Sequence, residues 1–283
     1  MTVAEAYAHC TKLAREHYEN FPVGRLVPAH LQKHVHAVYA FARYADDMAD
    51  EGYDTGALSQ EQRLKQLNEW EAMLRETPGT ATHPVFIALH QTIRELDLPL
   101  ALFTDLLSAF KQDVTQRRYA DFAQVLDYCR RSANPIGRLV LLLHGQRDAY
   151  LHELSDHICT ALQLANFWQD VAVDLIKDRI YLPQDEMARF GVTEAQLFAH
   201  EADTNYRRLL QFQVERTQQI FDAGEPLSRH LPPKLAWEIR LTWLGGTSIL
   251  RKIEDLNYDT LTTRPRLSAA DFLALAPQAW LST

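Results

Sequence analysis

The sequence predicts an all-α protein. No apolar/polar alternation of period two persists anywhere, apolar side chains recur at three- and four-residue spacing, and prolines mark several segment ends. Residues 3–19 read as a first helix, ending before Asn20-Phe-Pro22. A second starts near His30 and stops at Glu51-Gly52, and a polar loop follows to Ser59. Gln60–Arg75 is helical and closed by Thr77-Pro-Gly79, and His83–Leu96 and Leu100–Val114 come next, with Pro99 at the start of the latter. In that helix Phe103, Leu106, Leu107, Phe110 and Val114 form an apolar stripe. Asp121–Arg131 is helical, and Ser132-Ala-Asn-Pro135-Ile-Gly137 interrupts the chain before the apolar Leu139–His144 segment.

One long helix is expected over His152–Ile176, then a non-helical return over Asp178–Pro183. Thr193–His200, Asp203–Ala223 and Lys234–Leu256 are helices, the last opened by Pro232-Pro233. Thr263-Arg-Pro265 is a loop before a short C-terminal helix. With no repeat, low-complexity tract or boundary composition, the chain reads as a single domain over residues 1–283.

The chemistry concentrates on two stretches. Tyr39-Ala-Phe-Ala-Arg43-Tyr-Ala-Asp46-Asp47-Met-Ala-Asp50 is alanine-rich and free of glycine and proline. At about 100° per residue, Tyr39, Arg43, Asp46 and Asp50 fall within roughly 60° of one another, with Asp47 at the edge. Two carboxylates one turn apart repel each other, so a cation belongs beside them; Arg43 is well spaced to be a salt-bridge partner, a diphosphate ligand, or both. The second stretch, Asn166-Phe-Trp-Gln-Asp170-Val-Ala-Val-Asp174, sets Asn166, Asp170 and Asp174 up one face, with Gln163 on the same side. Hard oxygen ligands from two such helices suit Mg²⁺ and the phosphates it bridges.

The wider composition narrows the function. The formal net charge of −8 argues against nucleic acid as a partner. Cys10, Cys129 and Cys159 form no metal-binding spacing and read as reduced thiols of a cytoplasmic protein. The N-terminal residues lack a basic region followed by an apolar run, and Leu139–Leu143 is far too short to span a bilayer. His152 and His157 are five apart, about 140° around a helix, so they do not form a zinc-protease pair. His30 and His34 have metal-pair spacing but no third ligand nearby, and read as solvated or core histidines.

The two acidic stretches, together with Arg179-Ile-Tyr181-Leu-Pro183, resemble the squalene/phytoene synthases over nearly the whole length. The resemblance implies an all-helical isoprenoid synthase bundle around a central cavity. Asp46, Asp47, Asp50, Asp170 and Asp174 would hold Mg²⁺-diphosphate, and Tyr39, Arg43, Tyr128, Gln163, Asn166 and Tyr181 would be catalytic or pocket residues. Phe103, Phe110, Phe167 and Trp243 are available to line a cavity for a carbocation. Within the family, Glu19-Asn-Phe-Pro22-Val, Ser132–Arg138 and Asn166-Phe-Trp-Gln169-Asp170-Val resemble the hydroxysqualene synthases of bacterial hopanoid pathways. Members that condense two farnesyl diphosphates carry arginine at the position of Gln169, and often lysine at that of Glu19. Lacking both cations, the chain is expected to act on one diphosphate, presqualene diphosphate, with water capturing the cation and no nicotinamide cofactor; the alternative is condensation of two prenyl diphosphates. A greasy product suggests peripheral contact with the inner face of the membrane, and no motif selects an oligomeric state.

Overall fold

A computed structural model describes residues 1–17, 27–50 and 58–281. Among them every regular element is helical, apart from one isolated parallel bridge between Arg118 and Ile180. The helices group into two compact units, one of residues 1–115 and 135–147, the other of residues 116–134 and 148–283. Glu19 to Val23, on which part of the subfamily resemblance rests, lie outside the described residues.

The first unit contains α1 (Val3–His17), α2 (Ala29–Asp50), α3 (Gln60–Leu74), α4 (Pro84–Leu96), α5 (Leu100–Thr115) and most of α7 (Asn134–Leu143). Helix α2 packs on α1, α3, α4 and α5. Its buried positions Ala37, Phe41, Ala45 and Ala49 recur at helical spacing, and the alanines let neighbouring helices approach closely. Phe41 meets Phe103 edge-on at 5.5 Å, and Trp70 packs on Phe86 at 4.4 Å. Phe103 is therefore a core residue of this unit, and Phe110 packs against the same core. Buried Tyr7, His34 and Thr92 share hydrogen bonds of 3.0–3.3 Å that tie α1, α2 and α4 together, so His34 has the structural role expected of a core histidine. The Ser59 side chain caps α3, and buried Arg63 donates from Nη1 to the Ala49 carbonyl at 2.7 Å. A cation thus sits on the carbonyl end of α2, where the helix dipole favours it.

The second unit contains α6 (Phe122–Ser132), α8 (Ala149–Gln169), α9 (Val171–Ile176), α10 (Gln184–Phe190), α11 (Glu194–Phe198), α12 (Thr204–Gly224), a 3₁₀ turn (Glu225–His230), α13 (Pro233–Asp255) and α14 (Ala269–Leu281). Helix α8 lies against α12, and α13 packs on both. Gly224 makes the α8–α12 crossing possible: a Cβ there would lie 2.6 Å from Cγ1 of Ile158 and 2.9 Å from the Leu154 carbonyl oxygen. Buried Trp168 donates from Nε1 to the Thr217 hydroxyl at 2.8 Å, so its ring belongs to this packing.

Several sequence expectations need correction. The helix expected over His152–Ile176 is interrupted at Asp170, whose φ of −105° and ψ of 15° leave the α region. Ser132–Gly137 is not a long interruption: α7 begins at Asn134, directly after Ala133, with Pro135 in its first turn, where a missing N–H costs nothing. Buried Asn134 accepts a hydrogen bond from the Thr160 hydroxyl at 2.9 Å, so it is more than a turn residue. Helix α10 and the 3₁₀ turn escape the pattern because both are short and lack a full amphipathic period.

Candidate active site

On α2, the residues Tyr39, Arg43, Asp46, Asp47 and Asp50 lie half-buried on the side away from Phe41 and Ala45. The same helical repeat that buries the alanines therefore turns the acids outward. Arg43 bonds Asp47 through Nη2 at 2.5 Å and stands 3.7 Å from Asp46 through Nη1. Burial works against its charge, but Asp47 by charge and hydrogen bond, with Asp46, outweighs it and raises the Arg43 pKa above its ordinary value. The Tyr39 hydroxyl is pushed up by burial, against the pull of Arg43 and with the push of Asp47 and Asp46. The local salt-bridge reading of Arg43 thus holds, and Asp47 is its principal partner.

In the second unit Asn166 is exposed, Gln163 and Asp174 are half-buried, and Asp170 is buried. The break at Asp170 does not lose the helical register. Its N–H donates to the Asn166 carbonyl at 2.9 Å, and the Asp174 N–H donates to the Asp170 carbonyl at 2.8 Å. The three side chains therefore keep their order along one face. After α9 the chain turns through Asp178, whose φ of 53° is left-handed, and its carboxylate is held by Arg117 at 2.9 Å and Arg118 at 2.7 Å. The Ile180 N–H then donates to the Arg117 carbonyl at 2.9 Å and the Gln184 N–H to that of Tyr119. These bonds seat Tyr181 among aromatic rings. It stacks on Phe167 at 3.7 Å with 9° between planes, on Tyr119 at 5.4 Å, and lies 5.9 Å from Tyr128. Tyr128, Phe167 and Tyr181 thus come together as one wall, whereas Trp243 is anchored elsewhere in the unit by its indole N–H on the Phe221 carbonyl.

Two residues of this site escape the sequence reading. Tyr119 joins the aromatic wall through the pairing of residues 117–120 with 180–185. Arg264 grips Asp170 with both ends of its guanidinium: Nε bonds Oδ1, and Nη2 bonds Oδ2 at 2.9 Å. The hydrogen bond to Asp170 and the charges of Asp170 and Asp174 outweigh desolvation and raise the Arg264 pKa. Beside it, Gln169 donates from Nε2 to the Pro265 carbonyl at 2.6 Å, fastening the segment that carries Arg264. The one available signal was the uncompensated acidic face itself, which calls for a cation, but nothing in the local sequence named Arg264.

Among the described residues no three His, Cys, Asp or Glu side chains form a ready-made metal cage. In the first unit α2 presents the carboxylates of Asp46, Asp47 and Asp50; in the second, Asp170 and Asp174 follow one another, with the Arg264 guanidinium standing as a cation on Asp170. Hard oxygens in incomplete sets fit Mg²⁺, which keeps waters and takes further ligands from substrate phosphates.

The chain is similar over most of its length to known proteins. The Squalene/phytoene synthase family profile matches residues 13–271. A hydroxysqualene synthase of Zymomonas mobilis is 32% identical over 263 residues, 91% of this chain and 86% of that protein. A phytoene synthase of Arthrospira platensis is 28% identical over 278 residues, 93% of this chain and 88% of that protein. The crystal structure of squalene synthase HpnC from Alicyclobacillus acidocaldarius superposes with a TM-score of 0.85 and 39% identity, covering 91% of this chain and 96% of that one.

Proposed function

This chain belongs to the squalene/phytoene synthase family, whose members are enzymes acting on prenyl diphosphates, and from that premise we propose that it is a hydroxysqualene synthase. The chain is read as one catalytic domain, with the acidic faces of α2 and of α8–α9 each taken as ligands of Mg²⁺-diphosphate, as the family resemblance implies. Asp46, Asp50, Asp170 and Asp174 would hold the Mg²⁺, and Mg²⁺ when bound supplies Lewis-acid neutralisation of the leaving group. Asp47 has the supporting role, holding the Arg43 guanidinium along the helix face.

The observation that carries the choice of substrate is the pairing at Gln169. Where relatives that condense two substrates are expected to place a second cation, this chain has an amide spent on the Pro265 carbonyl. Arg264 is the cation paired with Asp170, and an amide at Gln169 in place of a further guanidinium suits this face to one diphosphate rather than two. The reaction balances with water alone. The carbon–oxygen bond of presqualene diphosphate breaks, diphosphate departs with the electron pair, and the cyclopropylcarbinyl cation rearranges. Water then adds its oxygen and loses a proton, giving hydroxysqualene. The cluster of Tyr128, Phe167 and Tyr181 would give the cation an aromatic wall. Tyr39, Gln163 and Asn166 supply hydroxyl and amide groups that orient the diphosphate or the water. Similarity to hydroxysqualene synthases at 32% identity supports the reading; similarity to phytoene synthases at 28% favours head-to-head condensation as the second one.

The test is incubation of the purified protein with presqualene diphosphate and Mg²⁺ in ¹⁸O-water, without nicotinamide. Labelled hydroxysqualene by mass spectrometry is expected. Unreacted substrate, with product formed instead from farnesyl or geranylgeranyl diphosphate, would transfer the assignment to condensation.

A further inference from the structure

Helix α14 turns a broad apolar side outward. Its outward residues include Leu273 at 77% exposure, Trp280 at 62% and Phe272 at 42%. At about 100° per residue, the positions from Phe272 round through Ala276, Ala269, Trp280, Leu273, Pro277 and Ala270 to Ala274 sweep an arc of roughly 200°. That arc contains no charged residue, and its one hydrogen-bonding side chain is the Trp280 indole.

The inner arc explains how the helix is held. Leu275 and Ala279 are buried against Leu244, Trp237 and Leu241 of α13, and the Trp237 indole donates to the Ala276 carbonyl at 3.2 Å. The one charged residue of α14, Asp271, caps its start through Ser268 and pairs with Lys252 at 3.1 Å. Polar chemistry is thus spent on the inner side, and the outer side is left apolar.

We propose that the outer arc of α14 docks into a lipid bilayer, lying in the plane of the headgroup–acyl boundary. A second copy of the chain is the poorer occupant on area. Thirteen residues make a helix about 20 Å long and roughly 10 Å across, so its face offers a few hundred Å² at most, against about 800 Å² per partner in a stable protein interface. Shape agrees: a convex ridge spanning half a turn of helix fits a fluid boundary and would need a deep groove in a protein. With the Trp280 indole as its one hydrogen-bonding side chain, the arc also departs from protein interfaces, which carry about one such bond per 100–200 Å². Insertion of one interfacial helix is monotopic, consistent with no described helix being long and apolar enough to cross a membrane. With a net charge of −8 the chain gains nothing from anionic headgroups, so docking is hydrophobic. The proposal draws on the proposed reaction only for its purpose, which is to give a water-insoluble C30 product a place to leave.

The experiment is flotation of the full-length protein with phosphatidylcholine vesicles, with and without phosphatidylglycerol. Binding is expected to both, unchanged between low and high salt. Leu273→Glu with Phe272→Glu should lower the bound fraction at least tenfold while circular dichroism stays constant, since both side chains are exposed at 77% and 42%. Binding retained by the double variant, binding only to anionic vesicles with loss in salt, or no flotation would each overturn the proposal. So would a concentration-dependent dimer that the double variant abolishes. No substrate is present, so the result stands apart from the assignment of the reaction.

Discussion

Replacing Arg264 by glutamine should tighten, not weaken, the binding of a divalent ion by itself. In the structure both carboxylate oxygens of Asp170 are engaged by the guanidinium, and the pair is well sheltered, with Asp170 at 12% and Arg264 at 32% side-chain exposure. A metal taking either oxygen must first displace at least one charge-assisted hydrogen bond, each worth about 1.5–3 kcal/mol. Glutamine can return part of one neutral bond, so the lower figure applies, and about 1.4 kcal/mol corresponds to a tenfold gain in affinity. Titration with Mn²⁺ read by electron paramagnetic resonance measures this without turnover. Diphosphate should show the opposite sign: inorganic diphosphate with Mg²⁺ should bind the variant more weakly, because the released guanidinium is no longer there to meet it. An unchanged or weakened Mn²⁺ affinity in the variant would refute the competition between Arg264 and the metal.

Three further outcomes are expected. Asp50→Asn should remove at least two orders of magnitude of turnover with no change in helical content, because it deletes one hard ligand from a half-exposed face; retained activity in the product assay would count against the metal assignment. Gly224→Ala should cost about 1–3 kcal/mol, seen as a Tm lower by several degrees, since the new methyl meets Ile158 and the Leu154 carbonyl oxygen at 2.6–2.9 Å and the backbone cannot yield. Glu238 is buried, and desolvation pushes its pKa up to about 7 from 4.5. A carboxyl whose folded pKa is raised carries no penalty below about pH 4.5; the cost accrues as pH rises towards 7 and is complete above it. Glu238→Gln should therefore raise Tm at pH 8 and leave it nearly unchanged at pH 4.5, which scanning calorimetry at the two pH values can check.

How far the sequence could be read depends on the range of the interactions concerned. The long helices were legible because their apolar residues repeat within one or two turns; α2 buries Ala37, Phe41, Ala45 and Ala49 at that spacing. Phe103, on the apolar stripe of α5, is buried in the core of its unit rather than lining a cavity, and His34 is buried as well. Asp170 was misread as helix interior because its break leaves the Asn166–Asp170 and Asp170–Asp174 backbone bonds intact, so the local pattern shows no interruption. Helix α10, of seven residues, has too little period to register.

The amino-acid sequence by itself determined the helical class, the acidic and alanine-lined sides of α2, and the order Asn166, Asp170, Asp174 on one face. All of these follow from 3.6 residues per turn acting over neighbouring positions. Tertiary structure alone decided that Arg264 sits on Asp170, 94 residues away, that Gln169 holds the Pro265 carbonyl, and that Tyr119 joins Phe167 and Tyr181. No local periodicity encodes such partners. They are chosen when helices distant along the chain pack and each buried charge or ring must find a neighbour, because leaving it alone away from water costs several kcal/mol.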